Sequence, residues 1–174
     1  MLQGKKIAIL ATDGFEQSEL TEPLNKLKAT GADVKVVAPE GGTIRGVKGE
    51  GWGDSVNVDA TLDEVSAEDF DTLVLPGGLY NPDTLRQNGK AVSFVKNMFT
   101  AKKPISAICH GPWLLIEADI VRGRKVTSYP SIKTDITNAG GLWVDEEVVV
   151  SQALITSRSP KDLDAFIAKT VEET

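Results

Sequence analysis

The sequence contains one cysteine and one histidine among its 174 residues, and they are neighbours, Cys109 and His110. A single cysteine excludes an intramolecular disulfide, and the pair falls short of the three or four ligands a typical zinc site uses. Nothing in the spacing of the carboxylates suggests another kind of metal site, so none is expected. Positive charge is also in short supply. Lys and Arg total 19 against 25 Asp and Glu, a net charge of −6, which gives no electrostatic help toward nucleic acid or an anionic membrane. The clusters Lys5-Lys6, Lys102-Lys103 and Arg122 to Lys125 are too small to make a basic binding face. No apolar run approaches the roughly 20 residues that span a bilayer. Lys5-Lys6 leads straight into a strand-like segment with no secretory pattern before it, so a cytoplasmic location is expected.

What remains is an ordinary globular composition, 41% apolar and 25% charged, over a length suited to one domain, taken as 1–174. Residues 6–11, 33–38, 71–75 and 104–108 are short apolar runs of the kind buried on both faces of a parallel sheet. Further strand is expected at 126–129, 147–150 and 153–156, and a peripheral hairpin in the Gly-rich stretch 41–59. Between them lie helical patterns. Leu20, Leu24 and Leu27 share one face of a helix closed by Gly31, with Pro23 expected to bend it or delay its start. A helix over 89–101 is expected to bury Val92, Val95 and Phe99, and shorter ones to cover 111–116 and 131–139. The last helix has Ser159 as N-cap and Pro160 at its first position. Alternating strands and helices imply an α/β fold: a flavodoxin-like, doubly wound, mostly parallel sheet with helices on both faces.

Ligands in such sheets bind beyond the carboxyl ends of the strands. Three loops there carry unusual chemistry: Asp13-Gly14-Phe15-Glu16, Pro76-Gly77-Gly78 and Cys109-His110-Gly111. A strand that delivers a nucleophile into an abrupt turn and then a helix is a nucleophile elbow. A lone cysteine in a strand is commonly just a small buried hydrophobe, but the following His-Gly-Pro favours a reactive thiol with its pKa lowered by the helix N-terminus. The backbone N–H groups of His110 and Gly78 suit an oxyanion hole. Glu16, if it faces Cys109, would share a proton with the thiol, because two anions cannot sit together cheaply. No residue adjacent in sequence orients His110.

Together, Gly14-Phe15-Glu16 with Glu19-Leu20 and Pro23, Leu75-Pro76-Gly77-Gly78, and Ala107-Ile108-Cys109-His110-Gly111-Pro112 resemble the ThiJ/PfpI family of the class I glutamine amidotransferase-like superfamily. Thr127-Ser128-Tyr129-Pro130, Asn138-Ala139-Gly140 and Thr156-Ser157-Arg158 are similar to its PfpI branch. The resemblance implies Cys109 as nucleophile, Glu16 as the carboxylate that contacts it, His110 as the catalytic histidine and Tyr129 near the pocket entrance. It also implies a homo-oligomer, dimer or hexamer, in which Asp83 of a neighbouring subunit orients His110. Trp113 stands where many relatives carry glutamine, and bears on the substrate pocket.

The activity the resemblance implies is a cofactor-independent, stress-protective cysteine enzyme acting on small reactive carbonyls or glycated groups, glyoxalase III-type or deglycase. The alternatives are an intracellular cysteine peptidase, and a non-enzymatic redox sensor or stress chaperone built on an oxidisable Cys109. A glutamine amidotransferase is excluded, because it needs a second, downstream histidine. No flavin or nucleotide is expected, since the first strand-to-helix loop lacks a phosphate-cradling glycine pattern.

Overall fold

The apolar runs of the sequence become the strands of a central sheet, seen in a computed structural model that describes residues 1–174. In chain order the first half comprises β1 (Lys6–Leu10), β2 (Phe15–Glu16), α1 (Gln17–Ala29), β3 (Asp33–Ala38), β4 (Thr43–Lys48), β5 (Gly51–Asn57) and β6 (Ala60–Thr61). There follow β7 (Thr72–Leu75), α2 (Tyr80–Leu85), α3 (Gly89–Thr100), β8 (Ile105–Ile108) and α4 (Trp113–Glu117). The chain ends with β9 (Lys125–Val126), α5 (Lys133–Asn138), β10 (Leu142–Trp143), β11 (Val149–Ser151), β12 (Leu154–Ser157) and α6 (Leu163–Glu173).

Seven strands form the main sheet in the order β11-β12-β8-β7-β1-β3-β6. All neighbours are parallel except the edge pair β11 and β12. The order runs outward from β1 in both directions, so the chain switches side between β1 and β7. Alternate residues of β1 serve opposite faces, as the two-residue period of a strand requires. Ala8 and Leu10 pack with α3 and α4 through Phe94, Val95, Leu114 and Leu115. Ile7 and Ile9 pack with α1 and α6 through Leu20, Leu27 and Phe166. The α/β, doubly wound architecture expected from the sequence is therefore present.

Local details differ from the sequence expectations for identifiable reasons. Helix α1 continues through Pro23, whose ring lies on the buried face. The buried side of α3 is Ala91, Phe94, Val95 and Met98, with Val92 and Phe99 only partly buried at its margins. Of the 126–129 segment only Val126 is strand, as the end of Lys125–Val126, which pairs with β10 outside the main sheet. Ser159 precedes a 3-10 turn, Pro160–Asp162, and its side chain makes no cap bond. Arg158 instead binds Asp162 through Nε at 2.9 Å, which ties the end of β12 to the start of α6. Helix α2 has no long amphipathic repeat to announce it.

Phe166 is fully buried between α6 and the sheet. Phe166→Ala should lower unfolding free energy by about 3–5 kcal/mol, the usual cost of such a truncation, in urea denaturation followed by circular dichroism.

Candidate active site

β8 ends at Ile108, and the chain then reverses so tightly that Cys109 takes φ 63. This left-handed conformation costs a non-glycine residue about 1–2 kcal/mol, and it is held on several sides. The Cys109 N–H donates to Ser157 O at 3.1 Å, Tyr129 N–H donates to Cys109 O at 2.9 Å, and Gly111 N–H closes the turn on Ile108 O at 2.8 Å. A Cβ on Gly111 would lie 2.5 Å from Leu75 O, so only glycine lets the elbow pass beneath the end of β7. The elbow projects Cys109 into a cavity of about 650 Å³ between the β4–β5 hairpin, the Gly78–Tyr80 segment and the Tyr129–Ser131 turn.

The three loops singled out in the sequence meet here, with one change of partner. The carboxylate against Cys109 is Glu19, and the contact expected of Glu16 is not made. Glu16 occupies the N-cap of α1 and turns toward Ser18, 3.5 Å away, on the rim of the cavity. Glu19 lies three residues on, on the inward face of the first helical turn, and is fully buried. Its Oε2 accepts the Gly77 N–H at 2.7 Å, whereas its Oε1 is buried with no hydrogen-bond partner. A Cβ on Gly77 would strike both Glu19 Oε2 at 2.6 Å and Cys109 Cβ at 2.7 Å. Gly77 thus leaves room for carboxyl and thiol to meet.

Desolvation controls the charges. Burial pushes Glu19 up to about 8, against the bond from Gly77, and the nearby Glu16 adds to the rise. Burial first and the Glu19 carboxyl second push the Cys109 thiol up, although the backbone N–H groups of His110 and Gly78 act in the opposite sense. The resting thiolate expected at a helix N-terminus is therefore not favoured. Helix α4 starts only at Trp113, too far along the chain for its first turn to outweigh burial. At neutral pH both groups hold their protons, and Glu19 Oε1 is the unpartnered position from which a carboxylic proton can be given. The two N–H groups assigned to an oxyanion hole face the sulfur in this state.

His110 bends back to its neighbour: Nδ1 lies 3.2 Å from Cys109 Sγ. Burial lowers its pKa, partly offset by Asp135, so the ring is a neutral base near pH 7. Its Nε2 lies 3.2 Å from Ser131 Oγ, a partner not apparent in the sequence because 21 residues separate the two. Tyr129 stacks on the imidazole, with centroids 4.9 Å apart, and lines the cavity. Trp113 supports the other side, edge-on at 5.1 Å, with its Nε1 donating to Asp135 and Arg86 stacked on it; it backs His110 and does not line the cavity. Asp83 sits on α2, half-exposed, in an ion pair with Arg86 at 3.1 Å. Within one chain the second nitrogen of His110 is thus met by Ser131, not by Asp83.

The raised pKa of Glu19 has a signature in stability. Between its ordinary value of 4.5 and about 8, the unfolded chain has lost the proton that the folded chain keeps. Glu19 therefore makes folding less favourable as pH rises through that window. Glu19→Gln, neutral and nearly isosteric, should gain stability relative to the parent between pH 4.5 and 8, by an amount on the order of several kcal/mol at the upper end. Urea midpoints measured across that range check it.

The sequence and the fold also match known proteins. The family model described as DJ-1/PfpI family matches residues 5–173. The chain is 49% identical over 165 residues to General stress protein 18 of Bacillus subtilis (strain 168), covering 94% of each. It is 47% identical over 164 residues to Protein/nucleic acid deglycase 2 of Escherichia coli (strain K12), covering 93% of each. Among solved structures, a two-domain protein from Anabaena variabilis with DJ-1/ThiJ/PfpI-like and ferritin-like domains superposes with a TM-score of 0.91 at 38% identity, over 97% of this chain and 47% of that one. With the family model matched over residues 5–173 and relatives at nearly half identity aligned almost end to end, the chain belongs to the DJ-1/PfpI family.

Proposed function

We propose that the protein is a cofactor-independent cysteine enzyme that acts on small reactive carbonyls, dicarbonyl aldehydes and the adducts they form on amines, with Cys109 as nucleophile. The observation that carries the reading is Cys109 Sγ set between a neutral imidazole at 3.2 Å and a fully buried carboxyl. That is one nucleophile with two separate proton carriers.

The reaction follows from those groups. Sγ attacks the aldehyde carbon while its proton passes to His110 Nδ1, and a proton delivered to the carbonyl oxygen completes a hemithioacetal. The Gly78 and His110 N–H groups, aimed at the sulfur, stay close to an oxygen that becomes charged two bonds away. A base then takes the proton from the hemithioacetal carbon while the neighbouring carbonyl oxygen gains one, giving an enediol. A proton returned to that neighbouring carbon, with loss of the first hydroxyl's proton, leaves a 2-hydroxyacyl thioester. Water cleaves the thioester to a hydroxy acid and restores the thiol. Glu19 exchanges protons beside the sulfur in the role expected of Glu16, and Glu16 stays at the rim. The relative named Protein/nucleic acid deglycase 2 supports the substrate class.

We assign a homo-oligomer to the exposed apolar side chains Leu79 and Tyr80 at the start of α2, next to Asp83 and the cavity mouth. In such an assembly Asp83 of a second copy would give His110 a charged orienter in place of Ser131.

Methylglyoxal turnover is expected from the purified protein and should fall to background in Cys109→Ala. It should drop about 100-fold in Glu19→Gln, the scale of a lost proton carrier, and change little in Glu16→Gln. The pH profile should be bell-shaped. Its acid limb lies below 6.5, where His110 becomes charged, and its alkaline limb lies near 8, where Glu19 ionises. Cleavage of a peptide substrate faster than methylglyoxal would favour a peptidase. Oxidation of Cys109 by low peroxide with no carbonyl turnover would favour a sensor.

A further inference from the structure

Asn81 is fully buried, outside the cavity lining, and makes three hydrogen bonds. Its Oδ1 accepts the Thr12 N–H at 2.8 Å, from the loop after β1. That bond fixes which end of the amide is the donor. Its Nδ2 then donates to two consecutive carbonyls, Pro76 O and Gly77 O, both at 3.0 Å.

Those carbonyls belong to the peptide units whose opposite ends serve the site. The unit that begins at Pro76 C=O ends at the Gly77 N–H, which donates to Glu19 Oε2 at 2.7 Å. The unit that begins at Gly77 C=O ends at the Gly78 N–H, on the stretch of cavity wall that Gly78 shares with Cys109, where the N–H acts on the thiol. In a trans peptide the C=O and N–H point in opposite directions across one rigid plane, and no cis bond occurs in the chain. Holding the oxygens therefore aims the hydrogens. Glycine at both 77 and 78, the latter at φ 81, leaves these planes easily rotated, and the other backbone hydrogen bond on these oxygens is a long one, from the Glu16 N–H to Gly77 O at 3.4 Å.

We propose that Asn81 is a positioning residue for the nucleophile: its one amide clamps two successive peptide planes so that Gly77 N–H stays on Glu19 and Gly78 N–H stays on Cys109. Its Oδ1 anchors the clamp to the end of β1, at the point where the sheet order reverses. Asn81 touches neither sulfur nor substrate and acts through the two backbone donors. This role rests on Cys109 as the nucleophile, and its test does not need a carbonyl substrate.

Iodoacetamide alkylation of Cys109, timed from pH 6 to 9, is the direct readout. Asn81→Ala should react about tenfold or more slowly than the parent at each pH, because the thiolate loses a backbone donor; tenfold corresponds to one pKa unit. Asn81→Asp, which keeps the acceptor for Thr12 but removes the paired donors, should be slow as well. A merely structural defect opens the cavity and speeds alkylation. Thr170→Val, which removes a buried bond to Ser106 within β8 and none in the Pro76–Gly78 loop, supplies that comparison. If methylglyoxal is turned over, kcat should fall about tenfold in Asn81→Ala with KM within twofold. Alkylation of folded Asn81→Ala at or above the parent rate would overturn the proposal. In the parent protein the Gly77 and Gly78 amide protons should exchange slowly by NMR, and fast exchange there would overturn it with no variant at all. Absence of carbonyl turnover in the parent would count against the proposed reaction and leave the alkylation result standing.

Discussion

Glu19 and Cys109 are two acids in one dry space, and both cannot be ionised there at a tolerable cost. The constraint explains why the thiol is not a standing thiolate despite two N–H donors. It also explains why the carboxyl keeps its proton at neutral pH, and why a separate base is needed to start the chemistry. That base is available, because burial keeps His110 neutral and the turn folds it back onto its own neighbour. Reactivity in this site then depends on where protons are held rather than on a permanent negative charge.

The fold provides that arrangement at the point where the sheet reverses direction. β1, β7 and β8 are adjacent in the sheet, so the loops at their carboxyl ends necessarily meet. Close approach then demands glycine. Gly77 makes room for carboxyl beside thiol, and Gly111 lets the elbow slide under β7. The left-handed Cys109 is held by backbone bonds to Ser157 and Tyr129, so its strain is offset by the strand and the turn on either side. The aromatic groups Tyr129 and Trp113 then hold the imidazole from two directions.

Much of this is legible in the sequence, and the exceptions are informative. The buried strands are legible because an apolar run so short, bounded by turn residues, is too brief for a helix. The Cys-His-Gly-Pro turn is legible because a rare residue stands at a strand end. The choice between Glu16 and Glu19 is not, since both lie near the start of the same helix. Which one faces inward depends on where the helix begins, and boundaries are the least legible part of any helix. Ser131 and Asn81 are invisible for a different cause. Each acts across a fold contact, to His110 and to Thr12, and a polar residue in a loop or short helix gives no periodic signal. The sign of the cysteine's pKa shift runs against the sequence expectation because a helix-terminus argument omits desolvation, which is the larger effect here.

The most direct measurement is the infrared spectrum of the resting protein at pH 7, recorded as a difference between the parent and Glu19→Gln. A carbonyl stretch from a protonated carboxylic acid, present in the parent, absent in the variant and lost as the pH is raised through about 8, is the predicted result. A spectrum in which Glu19 contributes only carboxylate bands at pH 7 would contradict the account, because the proton that couples Glu19 to Cys109 would not be there.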